Sequence, residues 1–188
     1  MQPDGNEPLP ASEMPAPPLV QAPVRFRAFS WPLLGAIIAS DQAAKALIRA
    51  TLAPFDSLTV IAGWVELIHV RNAGVAFGIL NETAMNQTVK TALTTALAAT
   101  ALLGIGYYAR LVHSHEKMAR WGLSLILGGA IGNLVDRIRV GYVLDYVDVS
   151  WRGWHFWAFN IADASITIGA VLVFLDLLLV TRHAPDSA

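Results

Sequence analysis

No cysteine occurs among the 188 residues of the chain. Disulfide bonds, thiolate metal sites and a cysteine nucleophile are therefore excluded. Charge is also scarce, because Asp, Glu, Lys and Arg make up 14% of the sequence, against about a quarter in a typical soluble domain. The formal net charge of −1 gives no electrostatic reason to expect a nucleic-acid partner.

Apolar residues dominate instead, with 55% of the sequence and a mean hydropathy of +0.50. The length suits a single domain, and its surplus of apolar side chains has to be buried somewhere. A lipid bilayer is the expected place, so membrane lipids are the first expected partners.

The first 24 residues differ from the rest of the chain. Residues 1–23 hold seven of the ten prolines and have neither lysine nor arginine. Such a segment buries too little apolar surface to offset its ordering entropy, so residues 1–24 are predicted to form a disordered tail. Residues 25–183 are predicted to form the membrane domain, and 184–188 a short C-terminal tail.

Four apolar segments predict four transmembrane helices, because about 20 helical residues span the hydrocarbon core. Their expected bounds are about 29–52, 88–109, 118–136 and 161–181. Runs of this length argue against a membrane barrel, whose strands alternate over about 10 residues. The expected fold class is therefore an all-α integral membrane protein.

The distribution of basic residues predicts the orientation of these helices. Arg25 and Arg27 precede the first helix, Arg182 follows the fourth, and three more basic residues lie in the second connection. Both termini are therefore expected in the cytoplasm, with segments 53–89 and 136–160 on the outer side. Their β-branched and aromatic residues predict a small extracytoplasmic sheet on the membrane surface.

Ionisable residues inside a transmembrane helix are costly and are candidates for function. Asp41 and Lys45 stand at i and i+4, on one face of the first helix. They form either an ion pair that neutralises itself and lets the helix insert, or a structural pair that orients another group inside the bundle. Asp136 lies at the predicted end of the third helix, where an anion is disfavoured, and Arg137, Arg139 or Lys45 could neutralise it. Asp176 is interpreted as structural.

Two further aspartates stand at the outer end of the predicted bundle. Asn160 and Asp163 are spaced as in a capping box at the start of the fourth helix. Capping does not explain Asp145, which stands in the apolar stretch "YVLDYV". Asp148, three residues later, is expected in a solvated loop. Converging carboxylates share a proton, because both cannot easily ionise, so Asp145 and Asp163 are a candidate catalytic pair. The five histidines are scattered among different elements, and no metal site or cofactor is predicted.

Several motifs together resemble the bacterial lipoprotein signal peptidases, also called signal peptidase II. The resemblance covers about residues 31–179 in the order and spacing of the family. It rests on the Asp-x-x-x-Lys pair of the first helix and on four segments: "RNAGVAFGIL" (71–80), "GAIGNLVDRI" (129–138), "GYVLDYVDV" (141–149) and "FNIADASITIG" (159–169).

This resemblance implies a specific activity and specific site residues. The family members are aspartic endopeptidases that cut prolipoproteins before the lipid-modified cysteine, and the antibiotic globomycin inhibits them. The catalytic pair falls on Asp145 and Asp163. The other polar site positions fall on Asn72, Asn133, Arg137 and Asn160, with Asp41, Lys45 and Asp136 in support. A monomer in the bacterial inner membrane is expected, with its active site near the periplasmic face.

Two other functions fit part of the sequence. A proton-coupled transporter or channel subunit would also need carboxylates in the membrane, but transporters usually place them near the midplane and often contain repeats. Here the carboxylates gather near one face, and no repeat is visible. A scaffold protein would explain the helices but has no need for Asp145 and Asp163 together.

Overall fold

A computed structural model describes residues 29–74, 86–109 and 117–182. The two predicted tails, and the part of "RNAGVAFGIL" after Gly74, lie outside the described residues. The described ranges contain four helices: α1 (Trp31–Thr51), α2 (Gln87–Tyr108), α3 (Lys117–Val140) and α4 (Ile161–Arg182). They also contain four strands: β1 (Ser57–Ile61), β2 (Val65–Asn72), β3 (Val143–Trp151) and β4 (Trp154–His155).

Three of these helices are long and apolar enough to cross a membrane. They are the spans Thr88–Tyr107, Lys117–Val140 and Ile161–Leu179. α1 is of similar length but carries Asp41, Lys45 and Arg49, and it does not meet the same criterion among the described residues. α3 continues four residues beyond the predicted end at 136, so Asp136 lies inside the helix rather than at its terminus.

The predicted small sheet is confirmed. Its strands run antiparallel in the order β1-β2-β3-β4, so β3, which carries Asp145, is an inner strand between β2 and β4. The expectation that Asp148 lies in a loop is wrong. This residue belongs to β3, opposite Glu66 of β2, and its carboxylate lies 2.9 Å from Nδ1 of His155.

The sheet joins the helices through apolar packing at the end of α1. Ile48, Leu144 and Tyr146 form one buried cluster, with Ile161 of α4 packed against it. The first four residues of β3 are all buried, unlike those farther along the strand. This packing holds β3 and the start of α4 against each other.

Glycine allows α3 to lie very close to its neighbours. A Cβ added to Gly129 would lie 2.3 Å from the carbonyl oxygen of Ala162, and one added to Gly132 would lie 2.7 Å from Oδ2 of Asp41. Larger residues would therefore force α3 away from both α4 and α1. The close approach places polar groups of all three helices within hydrogen-bonding distance.

Candidate active site

The first turn of α4 is held by side chains from other parts of the chain. The first backbone N–H groups of a helix have no partner within it. Here the N–H of Ile161 donates to the Tyr146 hydroxyl (3.3 Å), and that of Ala162 donates to Oδ1 of Asp41 (3.1 Å). Asp41, an anion, is also favoured at this positive helix end. The position of α4 is thereby coupled to β3 and to α1.

The predicted capping box is confirmed. The Asp163 N–H donates to Oδ1 of Asn160 at 2.9 Å, and the Asn160 N–H donates to Oδ2 of Asp163 at 3.2 Å. The second carboxylate oxygen, Oδ1, accepts from Nδ2 of Asn133 on α3 at 2.8 Å. Both oxygens of Asp163 therefore accept hydrogen bonds from neutral amide donors.

Asp145 has a similar environment on β3. Its Oδ2 accepts from Nδ2 of Asn72 at 2.9 Å, and its Oδ1 accepts from Nδ2 of Asn160 at 2.8 Å. Asn72 lies near Asp145 because antiparallel pairing sets Val70 opposite Asp145 and Asn72 opposite Val143. Asp145 is thus fixed by the neighbouring strand and by the residue that precedes α4.

Asn160 connects the two carboxylates. Its side-chain amide donates to Asp145, while its backbone N–H donates to Asp163. The side chain is fully buried and also contacts the Leu144 carbonyl oxygen at 3.2 Å. The structure therefore brings Asp145, Asp163, Asn160, Asn133 and Asn72 together in one polar cluster.

Within the described ranges, no cation is in direct contact with this carboxylate pair. Among the described residues, no ion pair joins Lys, Arg or His to Asp145 or Asp163. Burial, and then repulsion from the Asp163 carboxylate, raises the pKa of Asp145 to about 7, against the opposing effect of its amide hydrogen bonds. Asp145 can therefore hold a proton near neutral pH beside a second carboxylate.

A second polar cluster lies next to the first and is strongly ionic. The Lys45 ammonium is 2.8 Å from Oδ2 of Asp41 and 3.0 Å from Oδ2 of Asp136. Asp136 has a further partner in Arg49, at 2.8 Å. Lys45 was one of the three expected partners of Asp136, and the predicted Asp41–Lys45 pair is present. Lys45 also donates to Oδ1 of Asn133 at 2.9 Å, which links the two clusters.

Arg137 lies near the carboxylate pair but binds the backbone. Its guanidinium donates to the Gly74 carbonyl oxygen at 3.0 Å, and its Nε is buried without a partner among the described residues. Gly74 in turn donates its N–H to Oδ1 of Asn72 at 2.9 Å. Arg137 therefore tethers the chain that follows β2 beside the two aspartates.

Known proteins resemble this chain over most of its length. The sequence profile of signal peptidase (SPase) II matches residues 33–179. The chain belongs to the signal peptidase II family. A curated relative named lipoprotein signal peptidase, from Solibacter usitatus, is 37% identical over 87% of this chain and 97% of its own length. Another, from Symbiobacterium thermophilum, is 39% identical over 76% of this chain and 89% of its own length.

A solved structure has the same fold as this signal peptidase. It is described as a bacterial membrane enzyme determined by the in meso method at 2.3 Å resolution. The two chains are 30% identical, with a TM-score of 0.67, over 84% of this chain and 92% of the solved one. The membrane location expected from the apolar helices therefore holds for this peptidase.

Two residues that hold the polar clusters of this peptidase in place were not predicted from the sequence. Arg49 is the second partner of Asp136, and Tyr146 accepts a hydrogen bond from the start of α4. Arg49 had a detectable signal, because it follows Lys45 by four residues and so shares its helix face. Tyr146 had none, since an aromatic residue in an apolar strand indicates only core packing.

Proposed function

We propose that Asp145 and Asp163 are the catalytic pair with which this chain removes signal peptides from bacterial prolipoproteins. The reaction itself follows from membership of the signal peptidase II family, whose curated relatives carry the name lipoprotein signal peptidase. The observation that carries the residue assignment is Asn160, which donates hydrogen bonds to both carboxylates. With no cation paired to either acid in the described part of the chain, one proton can be shared between them.

Peptide hydrolysis needs a base to activate water and an acid to protonate the leaving amine. We assign the base to Asp163, because the first turn of a helix favours an anion. Asp145, with a pKa of about 7, carries the proton and polarises the scissile carbonyl. Water adds to the carbonyl carbon as its proton passes to Asp163. The C–N bond then breaks as the amine receives a proton from the pair, which titrates as a unit.

The polar residues around the pair would orient the substrate and the acids. Asn72, Asn133 and Asn160 use side-chain donors on the carboxylates, so their first contribution is to fix the pair. Arg137 stands beside Gly74, at the edge of the cluster, and makes no hydrogen bond to either carboxylate. It is the better placed to bind the substrate backbone, and such positioning accelerates reaction by lowering the entropic cost of alignment.

Cleavage is proposed to occur just before the diacylglyceryl-modified cysteine. The lipid chains would lie along the exposed apolar surfaces of the helices, which include Leu103, Val171 and Phe174. Substrate would enter sideways, since its signal helix already lies in the bilayer. Globomycin is proposed to inhibit the enzyme, which is expected to act as a monomer.

The experiment is cleavage of a synthetic prolipoprotein by the purified enzyme in proteoliposomes, with the product identified by mass spectrometry. The expected product begins with the lipid-modified cysteine, globomycin blocks its formation, and a substrate without the lipid remains intact. Asp145→Asn and Asp163→Asn should form no product, whereas Asp176→Asn should form it. Full processing by either of the first two variants would refute the catalytic assignment.

The proposed membrane arrangement has four spans in the inner membrane, with both termini in the cytoplasm and the aspartates near the periplasmic face. α1 supports a fourth span, because Asp41 and Lys45 are fully buried against α3 and α4 while Trp31 and Leu47 are exposed on its surface. Because the chain lacks cysteine, a thiol reagent labels only a cysteine that is introduced by mutation, and the labelling shows on which side of the membrane that position lies. Trp154→Cys should react with an impermeant reagent outside the cell, and Ser187→Cys only after permeabilisation; the reverse pattern would contradict this orientation.

A further inference from the structure

The Lys45 ammonium has more hydrogen-bond partners than charge neutralisation requires. Its nitrogen is fully buried and contacts Asp41 at 2.8 Å, Asp136 at 3.0 Å and Oδ1 of Asn133 at 2.9 Å. An ammonium group has three donors, and these three contacts use all of them. Two carboxylates already compensate the charge, so the contact with the neutral amide needs another explanation.

The oxygen and the nitrogen of the Asn133 side-chain amide contact groups of opposite charge. Its oxygen accepts from Lys45 at 2.9 Å and from Nδ2 of Asn160 at 3.3 Å, whereas its nitrogen donates to Oδ1 of Asp163 at 2.8 Å. Rotating the amide by half a turn would place its NH2 group against the ammonium and its oxygen against the carboxylate. Both attractive contacts would then become repulsive.

Lys45 and Asp163 both favour the observed orientation, and Lys45 supplies the stronger of the two contacts to the amide oxygen. Hydrogen bonds with a charged partner are about twice as strong as neutral ones, and the contact from neutral Asn160 is also longer. Without Lys45, the oxygen of Asn133 would keep only that weaker donor among the described residues. The Asn133 nitrogen would then be less firmly held towards Asp163.

We propose that Lys45 is a positioning residue for the reaction, which holds the Asn133 amide as a hydrogen-bond donor to Asp163. This inference rests on the proposed function, in which Asp163 is the base that activates water. Lys45 makes a hydrogen bond to Asn133 and none to either carboxylate of the pair, and its charge also lowers the pKa of Asp145 from a distance. Its removal should therefore lower kcat without raising KM, because no proposed substrate contact is lost.

The test is a set of steady-state measurements with a lipidated substrate on Lys45→Met, Asn133→Ala and the double variant. Loss of one oriented donor to a charged group is expected to lower kcat about 10- to 100-fold in Lys45→Met, with KM unchanged. In the Asn133→Ala background the same Lys45→Met change should have little further effect, since no amide remains to be oriented. Equal fold losses of kcat in both backgrounds would overturn the proposal.

Asp136→Asn is the matched control, because it disturbs the same ionic cluster and leaves the Lys45–Asn133 hydrogen bond in place. Its kcat per molecule of folded enzyme should stay within a few-fold of the wild type, and thermal unfolding measures the folded fraction because loss of the ion pair lowers stability. A loss of kcat in Asp136→Asn as large as in Lys45→Met would show a merely structural role and contradict the proposal.

A second variant guards against failure of Lys45→Met to fold. Asn133→Asp keeps an oxygen for Lys45 but offers no donor to Asp163, so its kcat should fall at least as far. Unchanged kcat in Asn133→Asp would overturn the proposal independently. Activity in Asp163→Asn would refute the proposed function itself. An inactive Asp163→Asn together with a fully active Lys45→Met would refute only this inference.

Discussion

Two pairs of aspartates lie side by side in this membrane protein, and they are stabilised in opposite ways. Asp41, Asp136 and Asp145 are buried, and Asp163 is half-buried. Asp41 and Asp136 accept from the cations Lys45 and Arg49. Asp145 and Asp163 accept from the amides of Asn72, Asn133 and Asn160. Both pairs accept hydrogen bonds, but within the described part of the chain only the first also forms ion pairs. The difference separates a pair that holds helices together from a pair that can exchange a proton.

The physical reason lies in the cost of burying charge. An ionised carboxylate away from water is tolerated when a cation is paired with it, and it then has little tendency to take up a proton. Amide donors satisfy its oxygens without placing a cation in contact with the negative charge. A proton is then retained near neutral pH, as the pKa of about 7 for Asp145 indicates. The amide-bound pair is therefore suited to acid–base chemistry.

The largest effect is expected from disrupting the amide-bound pair, Asp145 and Asp163. Asp145→Asn or Asp163→Asn removes an acid or a base, and each should reduce cleavage by at least about 10²- to 10⁴-fold. The fold should persist, since no buried cation loses its partner. Cleavage assays with thermal unfolding in detergent check both statements. Full specific activity in either variant, or a large loss of thermal stability, would contradict this distinction between the pairs.

The next largest effect is expected from disrupting the ionic pair of aspartates, Asp41 and Asp136. Asp136→Asn leaves Arg49 without a carboxylate and Lys45 with only Asp41. Breaking a buried ion pair by removing one partner costs about 3–5 kcal/mol, so the free energy of unfolding should fall by that order. Asp176→Asn serves as the control and should change it little. Equal stability of Asp136→Asn and the wild type would contradict the structural role of the ionic pair.

A smaller effect tests how close packing of α3 and α4 supports both pairs. Gly129→Ala places a methyl group against the Ala162 carbonyl oxygen, and such overpacking typically costs about 1–3 kcal/mol. Cleavage should also fall, because Asn133 and Asp163 lie on these two helices. Gly104→Ala in α2 is the matched control, since an added Cβ meets nothing within 4 Å there. The idea fails if both variants unfold at the same temperature as the wild type.

The smallest expected effect concerns the amide of Asn72 and its influence on the pKa of Asp145. Activity should fall as pH rises through about 7, because Asp145 then loses its proton. The hydrogen bond from Asn72 lowers the pKa of Asp145, so Asn72→Ala should move this alkaline limb upward by about one unit. The pH dependence of kcat measures the shift. A downward shift would show that Asn72 does not stabilise the ionised form.

Much of this arrangement could be predicted because its signals are local. The Asp41–Lys45 spacing and the Asn160–Asp163 capping box both lie within one helical turn, and both are present. Asp148 was misplaced because β-pairing extends β3 beyond the apolar residues, and this depends on partners elsewhere in the chain. The position of Asn133 between Lys45 and Asp163 depends on how closely α3 approaches α1 and α4. That approach is set by Gly129 and Gly132 through tertiary packing, which no local pattern reveals.

The most direct test is to locate the shared proton by infrared spectroscopy of the resting enzyme, one pH unit below the pKa of Asp145. We expect a protonated-carboxyl band that disappears in Asp145→Asn, persists in Asp136→Asn, and titrates in the wild type with a midpoint near 7. A band that persists in Asp145→Asn and disappears in Asp163→Asn would contradict the assignment of acid and base. Complete absence of the band from the wild type would contradict the proton-sharing pair itself.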